Sequence, residues 1–94
     1  MRFEWDPAKD AANQAKHDIG FREAAEIFRG VVVVREDTRR DYGERRNIAL
    51  GEYDGDVIRL VYTERGGAIR IISAWKANTH DRKTYQEART TREV

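Results

Sequence analysis

The side chains that could carry chemistry in this chain are Arg, Lys, His, Tyr and Glu. There is no Cys, and the single Ser, Ser73, sits in Ile72-Ser73-Ala74, which is not a nucleophile elbow. Disulfides, thiolate zinc sites and cysteine nucleophiles are therefore excluded. Two histidines, His17 and His80, are too few for a His-rich metal cage, and no H-E-x-x-H or D-x-D cluster gathers donors for metal-assisted hydrolysis. G-x-x-x-x-G-K-[ST] and G-x-G-x-x-G are missing too, which leaves phosphate-loop and dinucleotide chemistry without support. The remaining set suits cleavage of RNA without a metal, and no cofactor is expected. A base takes the proton of the ribose 2′-hydroxyl, whose oxygen attacks the adjacent phosphorus. Cations stabilise the charge that grows on the phosphoryl oxygens, and an acid protonates the leaving 5′-oxygen. His17, Glu44, Lys76 and Tyr85 have the chemistry for the acid or base role, and Arg46, Arg65 and Arg70 for holding phosphate. Each acid–base candidate also has an ordinary structural use. His17 suits a helix C-terminus, Glu44 a pair with Arg45 or Arg46, Tyr85 the docking of the last helix, and Lys76 a plain surface.

These residues must be positioned by a short chain. Its 94 residues allow one domain, expected to span 1–94. Asp6-Pro7 reads as a helix start, because Asp caps free N–H groups and Pro suits the first helical position. Ala8, Ala11, Ala12 and Ala15 then recur at helical spacing, with Lys16 and His17 in the last turn. Phe21, Ala24, Ala25 and Phe28 repeat that spacing, and Gly30 ends the second helix. Phe3 and Trp5 either form a short edge strand or pack on these helices.

Val31 to Val34 is a β-branched run and reads as a buried strand, followed by a polar loop from Arg35 to Tyr42. Arg45 to Tyr53, Val57 to Glu64 and Ala68 to Trp75 read as three more strands, joined by the two-residue turns Asp54-Gly55 and Gly66-Gly67. Thr79 to about Thr91 has helical propensity, with Asn78 or Thr79 as cap and a thin apolar face at Tyr85 and Ala88. The expected class is α+β: two N-terminal helices, an antiparallel sheet of about four strands and a C-terminal helix.

The two turns set a register. Gly66-Gly67 places Thr63 opposite Arg70, Val61 opposite Ile72 and Arg59 opposite Ala74. Asp54-Gly55 places Leu50 opposite Arg59 and Ile48 opposite Val61. One face then carries Arg46, Arg59, Thr63, Arg70 and Lys76, with no acid at its centre. The other carries Ala49, Ile58, Leu60, Tyr62, Ile69, Ile71 and Trp75, and is the better core face. Gathered cations repel one another, and a polyanion such as nucleic acid relieves that repulsion. Acids from flanking loops would relieve it equally well.

Lys and Arg total 18 and Asp and Glu 17, so net charge alone says nothing about partners. Fourteen of the basic residues are Arg, whose planar fork of donors suits phosphate. No apolar run approaches the roughly 20 residues of a transmembrane helix, and Met1 to Asp6 has no apolar signal region. The expected location is the cytoplasm, with no membrane partner.

Three ordered stretches resemble the BrnT-type toxins of bacterial type II toxin–antitoxin pairs. The first is Trp5-Asp6, Lys9, Asn13 and Lys16-His17. The second is Tyr42-Gly43-Glu44, Arg46 and Ala49-Leu50-Gly51. The third is Arg70 to Ala74, then Ala77, Asp81 and Tyr85. The chain departs from the family pattern at Asp18, where Gly usually follows Lys-His, and at Gly20, where a polar cap is common. It departs again at Trp75, where Arg usually follows Ser-Ala, and at Asp81 in place of Glu. The resemblance implies a compact RelE/ParE-like fold and a metal-independent ribonuclease that arrests translation. It also implies a cognate antitoxin of the ribbon-helix-helix, BrnA-like kind, through which alone the toxin would meet operator DNA. Folds of this kind often work with Arg, Lys and Tyr, which ranks Lys76 and Tyr85 above His17. Trp75 in place of Arg favours the alternative, a nucleic-acid or antitoxin-binding module that does not cleave.

Overall fold

The computed structural model describes residues 1–93. Strand β1 (Arg2–Glu4) leads to helix α1 (Pro7–His17) and a short helix α2 (Phe21–Ala24), which tightens into a 3-10 turn over Ala25–Arg29. Strands β2 (Val33–Glu36), β3 (Asn47–Tyr53), β4 (Asp56–Arg65) and β5 (Ala68–Lys76) follow, and helix α3 (Thr79–Glu93) closes the described chain. The sheet order is β1-β5-β4-β3-β2. β1 runs parallel to β5, and the other pairs are antiparallel. The α+β class is as expected, but the sheet has five strands and is mixed. Three residues are too few to show a strand's alternation, and a parallel neighbour is reached only through a long connection, here α1 onward.

Local chemistry explains the element ends. Asp6 accepts a hydrogen bond from Ala8 N at 2.8 Å, and Pro7 opens α1. Asp18 ends it in the left-handed region at φ 57°, where the family pattern has Gly. Gly20 offers α2 no side-chain cap, and Asp10 supplies one from α1, accepting Phe21 N at 2.9 Å. The second predicted helix is half 3-10 because Ile27 presses onto β3. A Cβ at Gly51 would lie 2.7 Å from that of Ile27, so only glycine fits beneath this turn. The strand expected at Val31 begins two residues later. Val31 instead gives its carbonyl to the Tyr85 hydroxyl at 3.0 Å.

Both hairpin turns are where the dipeptides placed them, with positive φ at Asp54 and Gly55 and at Gly66 and Gly67. The register of β3 with β4 is the expected one, Leu50 opposite Arg59 and Ile48 opposite Val61. The β4–β5 ladder starts as expected with Thr63 opposite Arg70 and then slips. Tyr62 faces Ile71, Val61 faces Ser73 and Arg59 faces Trp75, leaving Ile72 as the extra residue of a bulge. A turn dipeptide fixes register only up to the first bulge. Beyond it the two faces trade places, so Trp75 joins Arg59 on the outer face and Lys76 turns to the helix side.

The inner face, under α1 and α2, holds the main core around Phe21, Ile27, Ile58, Leu60, Ile71 and Ala74. The outer face has a smaller cluster of Leu50, Val57, Ala77 and Tyr85 beneath α3. Asn13, buried on α1, closes the open edge of β5. Its amide donates to Ala74 O at 2.8 Å and Ile19 O at 3.0 Å, and its carbonyl accepts Ala74 N at 3.2 Å. Asn13→Ala strands three buried backbone groups and should cost about 2–4 kcal/mol in urea unfolding. Asp18→Gly removes side-chain strain in the left-handed region and should stabilise by about 0.5–1 kcal/mol in the same assay.

Candidate active site

Helix α3 covers only part of the outer face. Asn78 caps its first turn, the side chain accepting Asp81 N at 2.8 Å, and the helix docks through buried Tyr85 and through an ion pair of Arg59 Nη1 with Asp81 Oδ2 at 2.8 Å. Arg35 Nη2 lies 3.8 Å from the other Asp81 oxygen. The cationic face therefore does have an acid at its centre, which corrects the sequence reading. Asp81 comes from α3, and strand alternation alone shows no side chain that a helix delivers.

The end of the face that α3 leaves uncovered meets the loop between β2 and β3. Continuing the register of Asn47 with Tyr62 brings Arg46 beside Thr63, and Thr63 faces Arg70, which faces Glu4 of β1. Thr63 Oγ1 donates to Arg45 O and Asp37 N to Arg46 O, each at 2.8 Å, so the loop returns tightly onto the sheet. Gly43, at φ 73°, donates its N–H to Asp41 Oδ1 at 2.9 Å and turns the chain so that Glu44 faces back.

Glu44 binds both sheet-end arginines: its Oε1 accepts Arg65 Nη2 at 2.9 Å, and its Oε2 lies 3.7 Å from Arg46 Nε. The Arg46 guanidinium carbon lies 4.1 Å from the Tyr42 ring centroid. Arg46 Nε is buried and has no hydrogen-bond partner. Arg70 Nη1 is 3.8 Å from Glu4 Oε2, and Arg45 Nε is 3.8 Å from Glu36 Oε1. An open groove of about 480 Å³ runs along the loop past Asp37, Tyr42, Glu44 and Arg45. A larger cleft of about 530 Å³, bounded by Phe3, Trp5, Phe28 and Arg22, lies at β1 and the α2 turn. The groove reaches the arginines of the sheet face through Glu44, which lines it and pairs with Arg46 and Arg65.

Of the residues singled out in the sequence, Glu44, Arg46 and Arg65 come together here, and Arg70 stands in the adjoining row. Lys76 pairs with Asp56 at 3.5 Å on the helix side of the sheet. His17 packs on Trp75, ring centroids 5.4 Å apart, and Arg59 reaches the same indole at 5.8 Å. Tyr85 is buried, with its hydroxyl on Val31. Asp37 and Arg39 lie in a polar loop without periodicity, where alternation gives no signal for them. Tyr42 stands out in the sequence only as the end of that loop and as part of the family-like stretch. Among the described residues no group of three or more His, Asp or Glu is placed to hold a metal ion. No described helix is long and apolar enough to cross a membrane.

A family model described as ribonuclease toxin, BrnT, of type II toxin–antitoxin system matches residues 5–81. The match spans most of the chain, which therefore belongs to that family. Among curated proteins no sequence matches it.

The Arg65 hydrogen bond holds the Glu44 carboxyl below its ordinary value of 4.5, with Arg46 adding a smaller charge effect. The ionised form is favoured, which makes Glu44 a weaker base than an ordinary glutamate. Its folded-state interactions are complete above the ordinary value and are lost as pH falls through the lowered one. Carboxyl NMR titration should place Glu44 below 4.5, and Arg65→Ala should move it up toward that value.

Proposed function

We propose, from membership of this ribonuclease-toxin family, that the protein cleaves RNA without a metal at the loop end of the outer sheet face. The observation that carries the reading is the convergence of Glu44, Arg46 and Arg65 beside Arg70, an ionised carboxylate among guanidinium groups. Glu44 takes the 2′-hydroxyl proton. The 2′-oxygen then bonds to phosphorus as the P–O5′ bond breaks. Arg46, Arg65 and Arg70 hold the phosphoryl oxygens while their charge grows. The leaving 5′-oxygen takes a proton from water at this solvent-open end, giving a 2′,3′-cyclic phosphate and a 5′-hydroxyl. The metal-free reading is supported by the scatter of the carboxylates, since among the described residues no three His, Asp or Glu side chains gather as a nuclease metal site requires. Such cleavage arrests translation. A cognate ribbon-helix-helix antitoxin neutralises it and is the toxin's link to operator DNA. The proposed place of action is the cytoplasm.

Purified protein should cut a mixed-sequence RNA in EDTA. Arg46→Ala should lower the rate about 10²-fold, the usual effect of losing one charge-stabilising donor. Arg70→Ala should weaken RNA binding and reduce the salt slope by about 0.7, one phosphate contact on a single strand. Lys76→Ala, outside the cluster, should stay near wild type. RNA bound but uncut with every variant alike would favour the non-cleaving binding module instead. Activity abolished by EDTA and restored by a divalent ion would overturn the metal-free reading.

A further inference from the structure

Arg46 is held in place by residues of the loop between β2 and β3. Asp37 is 4% exposed, and its carboxylate is fully engaged. Oδ1 accepts Arg39 Nε at 2.8 Å and Arg39 N at 3.2 Å. Oδ2 accepts Arg39 Nη2 at 2.8 Å and the Tyr42 hydroxyl at 3.0 Å. The hydroxyl fixes the Tyr42 ring, and the ring carries the Arg46 guanidinium at 4.1 Å. We infer that Asp37 and Tyr42 are positioning residues for Arg46, setting the plane in which its donors meet a phosphoryl group. The inference rests on the reading of Arg46 as a phosphate-holding residue.

Charge decides why the support takes this form. A bare carboxylate under Arg46 would compete with phosphate for its N–H groups. The Asp37 side chain instead gives its charge to Arg39 in a bidentate pair and meets Arg46 only through the uncharged tyrosine ring, while the Glu44 carboxylate stands 3.7 Å from Arg46 Nε. The ring attracts the cation by its quadrupole and takes none of its hydrogen-bond donors. The Arg39 hydrogen bonds hold the Asp37 carboxyl far below its ordinary range, so the support stays ionised across the working pH. Asp37 is also tied by its own N–H to Arg46 O at 2.8 Å, so the two residues move as one piece of backbone.

The test is a double-mutant cycle on the full chain, read as affinity for a mixed-sequence single-stranded RNA in EDTA and as its salt slope. Tyr42→Leu should weaken binding roughly 3–10-fold, in the range of a cation–π contact, and lower the slope as Arg46→Ala does. Tyr42→Phe keeps the ring but frees it from Asp37, and should fall between wild type and Tyr42→Leu. On an Arg46→Ala background Tyr42→Leu should add almost nothing, because the residue acts through Arg46. A merely structural tyrosine would add its full effect there, and that additivity would overturn the inference. Asp37→Asn, provided its melting curve remains cooperative, should match Tyr42→Phe, and wild-type binding by Asp37→Asn and Tyr42→Leu would also overturn it. If Arg46→Ala alone leaves binding and slope unchanged, the phosphate-holding reading itself falls, and the positioning role with it.

Discussion

The side-chain amide of Asn13 completes the edge of β5, and much of the fold hangs on it. Beyond Arg70 that edge has no strand beside it, because β1 covers only Ala68, Ile69 and Arg70. Asn13 bonds both the N–H and the carbonyl of Ala74, as a neighbouring strand would. Its second amide hydrogen goes to Ile19 O, which ties down the turn between α1 and α2. One buried amide therefore sets where α1 lies, where α2 starts and which end of β5 is closed to solvent. An apolar side chain would leave three buried backbone groups unmet, and a carboxylate would oppose two carbonyls.

The same anchoring bears on the bulge at Ile72. The slip brings Ala74 inward, under α1, and Trp75 outward between His17 and Arg59. Without it, Lys76 would share the face of Arg70 and the indole would enter the core. The family pattern has Arg at the Trp75 position. On the outer face, packed against a cation and an imidazole, a tryptophan is accommodated there without disturbing the core. Its site lies along β5 from the Glu44 cluster and next to the part covered by α3.

Much of this architecture was legible in the sequence because it depends on short-range rules. Asp6-Pro7, the two hairpin dipeptides and the alternation of β3 and β4 specify their elements with little help from the rest of the chain. The proposed cluster was legible as residue types, since Glu44, Arg46 and Arg65 are the kinds of group that phosphate chemistry uses. Its geometry was not. Whether Arg59 or Arg46 is the available cation depends on α3 delivering Asp81 to one of them, a contact across 22 residues. Whether Lys76 faces the cluster depends on one extra residue in β5. The Asp37–Arg39–Tyr42 support spans only six residues, but its spacing belongs to no periodic element.

Arginine is used in two physically different ways on this one sheet face. Arg59 is buried against Asp81 at 2.8 Å, and separating such a pair costs about 3–5 kcal/mol because each charge is left without water or partner. Its role is to dock α3. At the loop end Arg46, Arg70 and Arg45 stand 3.7–3.8 Å from their acids, beyond hydrogen-bond distance. Pairs of that kind contribute at most about 1 kcal/mol and exchange readily. An arriving phosphate can take the donors of these three arginines without first breaking a hydrogen bond, whereas Arg65 must first give up its 2.9 Å bond to Glu44. Position relative to α3, more than the number of arginines, thus separates the cations that hold the fold from those suited to hold RNA.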